Sequence, residues 1–160
     1  MWFFIHRALL ALALSGAMLV SLPATAFCFN EAGARYRIDP SLLRAIAQVE
    51  SGMKPGAIGK NMSGKKLLSR DLGLMQINDR QVPQLRAMGI LNREQDLLDN
   101  PCLNVQIGAW ILAKHLQRCG VNWECLGSYN AGFTKDNSPR RMLYARKIYA
   151  VYLKSRRGGS

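Results

Sequence analysis

The stretch AIAQVESGMKPGAIG, residues 45–59, holds one carboxylate, Glu50, between an apolar run and a glycine-rich loop, and no other acid occurs between Asp39 and Asp71. In a helix Glu50 lies four residues beyond Ile46 and seven beyond Leu43, so it shares their apolar face. A carboxyl at the end of such a stripe loses water. Desolvation favours its neutral form, which suits a general acid working near neutral pH. By this pattern alone, a surface glutamate on a fraying last turn fits as well. Two other segments group polar side chains. In GLMQIN, residues 73–78, Gln76 and Asn78 alternate with Met75 and Ile77, so a strand would turn amides one way and apolar groups the other. In SYNAGF, residues 128–133, Tyr129 and Asn130 precede a glycine turn. Rival chemistries lack a signature. No Ser/His/Asp set is grouped, GAIGK at 56–60 lacks the spacing of a phosphate loop, and His115 sits on an apolar helix as an expected core residue. No CxxC pair marks a zinc site.

These residues need elements to hold them, and the punctuation is clear. Asp39-Pro40, Asn100-Pro101 and Ser138-Pro139 each set a capping side chain before a proline suited to the first helical position. Leu42, Leu43, Ile46 and Val49 then follow helical spacing. After Pro101 the run Leu103, Val105, Ile107, Trp110, Ile111, Leu112 leaves almost no polar face, which predicts a central buried helix ending at Gly120. Asn122 predicts a short helix from Trp123 to about Ser128. The last helix starts at Pro139 and carries Met142, Tyr144, Ile148, Tyr149 and Tyr152, and further helices are expected over 30–36 and 82–88. The basic, glycine-rich stretch 56–76 has no helical period. The expected class is α+β, predominantly helical, with a small β-hairpin or irregular lobe.

The chain has 160 residues and a formal charge of +12. Arg7, the apolar run from Ala8 to Val20 and Ala24-Thr25-Ala26 together predict a secretory signal over residues 1–26. The run is too short for the roughly 20 residues that span a bilayer, so no span is expected once the signal is cleaved. One domain over 27–154 and a disordered basic tail over 155–160 follow. Cleavage removes Arg7 and no acid, which leaves +11 and an attraction to anionic polymers. Nucleic acid is discounted because the chain is exported and shows no helix-turn-helix or zinc pattern. Cys28, Cys102, Cys119 and Cys125 all follow the signal, so two disulfides are expected. Three pairings are open. The short loop CGVNWEC favours Cys119–Cys125, which leaves Cys28–Cys102.

VESG with Glu50, then GLMQIN, then GSYNAG, in that order, resembles the soluble lytic transglycosylase family from Cys28 to about Leu153. The segments CFNEAGARYRIDPSLLRAIAQVESG and DNPCLNVQIGAWIL are similar to the small periplasmic members that accompany secretion and conjugation machines, the IagB/IpgF kind. In that subgroup the cysteines matching Cys28 and Cys102 are the usual pair. The resemblance implies a lysozyme-like fold and cleavage of the β-1,4 bond between N-acetylmuramic acid and N-acetylglucosamine, with a 1,6-anhydromuramoyl end. It makes Glu50 the catalytic acid and base. Gln76, Asn78, Tyr129 and Asn130 would line the sugar cleft, Tyr144 would stand near the glutamate, and Ser51 would support the catalytic loop. Asp71, the next carboxylate along the chain after Glu50, keeps an open secondary role. NMSGKKLLSRDLG is longer than the family's usual link, and its Lys65, Lys66 and Arg70 leave that lobe's shape open. No cofactor or metal is implied. The implied partners are peptidoglycan strands and a type III secretion, type IV secretion or pilus machine, and a single copy is expected to act. Three rival readings stand beside this one: a goose-type lysozyme, a non-catalytic wall-binding subunit, and membrane-surface binding by the basic last helix.

Overall fold

Asp39 and Pro40 open the helix that carries Glu50, as the sequence predicts. The Asp39 carboxylate accepts the Ser41 N–H at 2.8 Å, and the helix runs over Pro40–Ser51. The computed structural model describes residues 27–157; the expected signal, 1–26, and the last three residues of the expected tail lie outside them. In chain order the helices are α1 (Phe29–Tyr36), α2 (Pro40–Ser51), α3 (Val82–Ala87), α4 (Asp96–Asp99), α5 (Pro101–Cys119), α6 (Trp123–Ala131) and α7 (Ser138–Arg157). Between α2 and α3 lie β1 (Ile58–Ser63), β2 (Lys66–Leu72) and β3 (Ile77–Asn78), an antiparallel sheet in the order β1-β2-β3. The basic insertion is therefore a β-hairpin, turned at Gly64 with φ +58°. The architecture is α+β and predominantly helical.

α5 is the centre of the core. Val105, Ile107, Ala109, Ile111 and Leu112 are buried along it, with α1 and α6 packed against it and α7 covering α2 and α6. The approach of α6 to α7 depends on Gly127, where a Cβ would sit 2.2 Å from the Arg141 carbonyl oxygen. Asn100 and Asn122 cap their helices as expected, accepting the Leu103 and Cys125 N–H groups at 3.0 and 2.8 Å. Disulfides join Cys28 to Cys102, tying α1 to α5, and Cys119 to Cys125, closing the α5–α6 turn.

Three local expectations need correction. Ser138 does not cap α7: it is itself helical (φ −51°, ψ −47°), and its hydroxyl donates to Glu124 Oε1 at 2.6 Å. The tail does not begin at Ser155, because α7 continues to Arg157. There Arg156 donates to Tyr152 Oη at 3.0 Å, and Tyr152 donates to Asp39 Oδ2 at 2.6 Å. Nor is GLMQIN a strand throughout. Residues 73–76 form a turn, with Gly73 at φ +77° and Gln76 at φ +49°, and only Ile77 and Asn78 pair with β2. The side chain of Asn104 explains the turn. Buried in α5, it accepts the Met75 N–H at 2.7 Å and donates to the Leu72 and Leu97 carbonyls at 2.8 and 2.9 Å. Extended backbone would find its partners on a neighbouring strand; here one side chain supplies them.

Candidate active site

Glu50 sits in the last turn of α2, half-buried, on the face that also buries Leu43 and Ile46. Gly52 follows at φ +61° and turns the chain away, leaving the carboxyl at the edge of a cleft of about 220 Å³ between the sheet and α5–α6. Tyr144 reaches it from α7 and donates its O–H to Glu50 Oε1 at 2.5 Å. Burial holds the Glu50 carboxyl above its ordinary range; the Tyr144 hydrogen bond opposes this and the negative charge of Asp71 adds to it. Glu50 also stands at the negative end of a helix, where an anion is disfavoured.

Asp71, on β2, shares the cleft. Its two oxygens are held separately: Oδ1 accepts from Asn78 Nδ2 at 2.7 Å, and Oδ2 accepts from Asn61 Nδ2 at 2.8 Å. Both amides also donate to Ser69 Oγ, at 3.0 and 3.1 Å. Sheet pairing builds this frame, setting Asn61 opposite Ser69 and Asn78 opposite Asp71. Asp71 is thus an aimed carboxylate with amide donors on both oxygens, and Glu50 is a desolvated one with a phenol donor. Two carboxyl groups in one cleft with such unlike surroundings can divide acid and base work.

The other side chains suggested by the sequence fall into distinct positions. Gln76 lines the cleft, and its Nε2 donates to the Gly73 and Ala57 carbonyls at 2.9 and 3.3 Å. Its Oε1 faces Gly59, where a Cβ would sit 2.7 Å away. The left-handed backbone of Gln76 costs about 1–2 kcal/mol, which these two bonds help offset. Asn78 also lines the cleft, but its amide is taken up by Asp71 and Ser69 and its oxygen by the Arg80 N–H, so it positions Asp71. Tyr129 lines the cleft and donates its O–H to the Met75 carbonyl at 2.9 Å, and Asn130 beside it is exposed on the rim. Burial, then the charges of Glu50 and Asp71, push the Tyr129 phenol well above its ordinary range. Burial and Glu50 do the same to Tyr144, so both remain O–H donors.

Ser51 does not join the cleft lining, and its hydroxyl donates to the Ala47 carbonyl at 3.0 Å inside α2. His115 is half-buried on α5, with Nδ1 2.8 Å from Ser128 Oγ and its ring against Phe133. Burial and the neighbouring Lys114 and Arg118 lower its pKa, so the ring is a neutral structural partner.

Asn61 and Asn104 escaped the sequence reading. The alternation Gly59-x-Asn61 and Ser69-x-Asp71 on the arms flanking Gly64 was the available signal for the first. A lone amide within the apolar run after Pro101 was the signal for the second. A larger hollow of about 590 Å³ beside α3, lined by Val82, Pro83, Arg86, Ala87, Leu91 and Asn92, holds no carboxyl, thiol or imidazole.

Residues 27–151 match the family described as the transglycosylase SLT domain. A peptidoglycan-binding-like protein of Escherichia coli O157:H7 is 56% identical over 130 residues, 81% of this chain and 78% of that protein. Invasion protein IagB of Salmonella typhimurium is 47% identical over 131 residues, 82% of this chain and 78% of that protein. Protein IpgF of Shigella flexneri is 42% identical over 127 residues, 79% of this chain and 80% of that protein. Among solved structures, an inactive mutant of the lytic transglycosylase Slt from Pseudomonas aeruginosa shares the fold. Its TM-score is 0.55 at 21% identity, over 81% of this chain and 22% of that much longer one. The chain belongs to the transglycosylase SLT family and is a peptidoglycan lytic transglycosylase.

Proposed function

We propose that Glu50 carries both proton transfers of the reaction and that the enzyme works in the periplasm, opening the wall locally for an envelope-spanning secretion, conjugation or pilus machine. The observation that carries the catalytic assignment is the half-buried Glu50 carboxyl, held by Tyr144 in one cleft with Asp71, Gln76 and Tyr129. Protonated Glu50 donates to the glycosidic oxygen between N-acetylmuramic acid and N-acetylglucosamine. The bond from muramoyl C1 to that oxygen breaks, and the glucosamine leaves with its hydroxyl restored. The muramoyl C6 oxygen then bonds to C1, and the Glu50 carboxylate takes the C6 hydroxyl proton. No water is consumed, and the acid form of Glu50 is regenerated.

Positive charge develops at C1 as the leaving group departs. The substrate's acetamido group can stabilise it, a recognised departure from the paired-carboxylate scheme, and the aimed Asp71 carboxylate adds a fixed negative charge nearby. Asp71 also supports a second reading, in which water competes with the C6 hydroxyl and part of the product carries reducing ends. Paired carboxylates are the usual machinery for such hydrolysis.

The machine-associated role is supported by the name of the invasion protein relative and by the expected export signal. Among the described residues no helix is long and apolar enough to cross a membrane. Digestion of purified peptidoglycan followed by mass spectrometry tests the reaction. Muropeptides lighter than hydrolysed ends by one water are expected; reducing ends alone would overturn the C6 step. Deletion of the gene beside each envelope machine of the host, with secretion, conjugation and piliation as readouts, tests the role.

A further inference from the structure

We infer that the outward face of α7 docks the enzyme on an anionic lipid surface. α7 carries seven Lys or Arg residues and no acid over its 20 residues. Two are already paired: Arg141 with Glu124 at 2.9 Å, and Arg156 with Asp39 at 3.7 Å. The other five, Arg140, Arg146, Lys147, Lys154 and Arg157, are exposed and make no ion pair among the described residues. Acid is concentrated elsewhere. Asp71, Asp79, Glu94, Asp96 and Asp99, five of the chain's ten acids, lie on the sheet and the segments that follow it. The molecule is therefore charge-segregated, and the field that results turns α7 toward a negative surface.

Three features favour a bilayer over a glycan strand or an acidic protein. The outward side runs the length of a 20-residue helix, about 30 Å at 1.5 Å per residue, so it suits a plane better than a pocket. Apolar groups are interleaved with the cations. Leu143, Arg146, Ala150, Lys154 and Arg157 recur at three- and four-residue steps on the outward side, and Leu143 is 58% exposed. Beside them Tyr149 is 45% exposed and packs edge-on against Trp123 at 4.9 Å, while Val121, on the loop closed by Cys119–Cys125, is 90% exposed. Trp and Tyr with adjacent Lys and Arg are the side chains that settle at the headgroup level. The opposite side of the same helix holds Tyr144 against Glu50. Docking by the outward face would therefore leave the cleft clear of the lipid.

The test uses the body that follows residue 26, which contains every described core residue and both disulfides, so that the apolar N-terminal run does not itself bind lipid. It is sedimented with vesicles of equal parts phosphatidylglycerol and phosphatidylcholine, with phosphatidylcholine alone, and with purified sacculi. Of the two kinds of vesicle, binding to the anionic one only, with tryptophan emission moving to the blue, is expected. Each cation near the surface is worth roughly fivefold in partition. The variant Arg146→Gln/Lys147→Gln/Lys154→Gln should therefore bind anionic vesicles about 100-fold more weakly. A variant with the same charge loss on the hairpin, Lys60→Gln/Lys65→Gln/Lys66→Gln, should lose fivefold or less. Equal losses in the two variants would reduce the effect to net charge and overturn a docking face. Absence of binding to anionic vesicles, or a loss confined to sacculi, would overturn the lipid partner. Unchanged digestion of soluble glycan strands by both variants verifies their fold.

Discussion

Replacing Glu50 with glutamine tests the site most directly, because the two side chains differ in one atom and the neighbours need not move. The glutamine oxygen can still accept the Tyr144 O–H, which Glu50 takes at 2.5 Å. What disappears is the exchangeable proton. A positioned acid or base contributes about 10²–10⁴-fold. Glu50 serves one transfer in each direction, so a loss near 10⁴-fold is expected, equal to about 5.5 kcal/mol of barrier. The assay is release of 1,6-anhydromuropeptides from purified sacculi at matched enzyme concentration, quantified by mass spectrometry. Retention of more than a tenth of parent activity would refute the assignment.

The same substitution has a second, independent readout in stability. The folded carboxyl holds its proton above the ordinary glutamate value of 4.5, chiefly because it is buried. Between the unfolded value and the raised folded one, the unfolded chain releases its proton first. Native stability therefore falls as pH rises through that window, and the whole loss is present above the folded value. Glutamine carries no such cost. The Tm of Glu50→Gln relative to the parent should be lowest below about pH 4 and should climb as the pH is raised past the window. A Tm difference that does not change with pH would mean that the carboxyl is not desolvated, whatever the activity shows.

Tyr144→Phe removes the donor that favours the Glu50 anion, so the basic limb of the pH–rate profile should move up; Asp71→Asn removes a like charge and should move it down. Loss of a hydrogen bond to a charged group costs about 1.5–3 kcal/mol, so Tyr144→Phe should also slow turnover by about 10–100-fold; limb shifts in the same direction would contradict this electrostatic frame. Asn104→Leu leaves the Met75 N–H and the Leu72 and Leu97 carbonyls without partners. It should cost about 4 kcal/mol and lower Tm by about 10 °C, measured by calorimetry, with a change below 3 °C counting against the bracing role. The disulfides should differ in weight, since their separations are 74 and 6 residues. Loop-closure entropy gives about 4 kcal/mol for Cys28–Cys102 and about 2 for Cys119–Cys125, a ranking that Ser replacements and urea unfolding can reverse.

Features governed by neighbouring residues were legible in the sequence. The caps at Asp39, Asn100 and Asn122 act within three residues, and the apolar period of α2 follows from helix geometry, which is why the orientation of Glu50 could be foreseen. Ser138 shows where that logic stops: a short helical turn precedes it, so the backbone is already helical there and the hydroxyl turns to Glu124. The resemblance points Gln76 to the cleft, but the alternation of GLMQIN does not describe how it is held there. The alternation argument needs extended backbone, whereas Gly73 and Gln76 both have positive φ, and the residue reaches the cleft because Asn104 shapes the turn from 29 residues beyond Met75.

The sequence names Asp71 but not its aim, since nothing around it in the chain marks how it is held. Its aim depends on cross-strand register, with Asn61 and Ser69 paired across the hairpin, and a one-residue slip would turn these side chains to the other face. The irregularity between Asn61 and Met62 shifts the register just beyond Asn61. The longer, lysine-rich hairpin arm can therefore vary at its tip while the pairs that hold Asp71 stay fixed. That separation, a variable tip above a fixed frame, explains why an insertion that obscured the lobe in the sequence leaves the cleft intact in the structure.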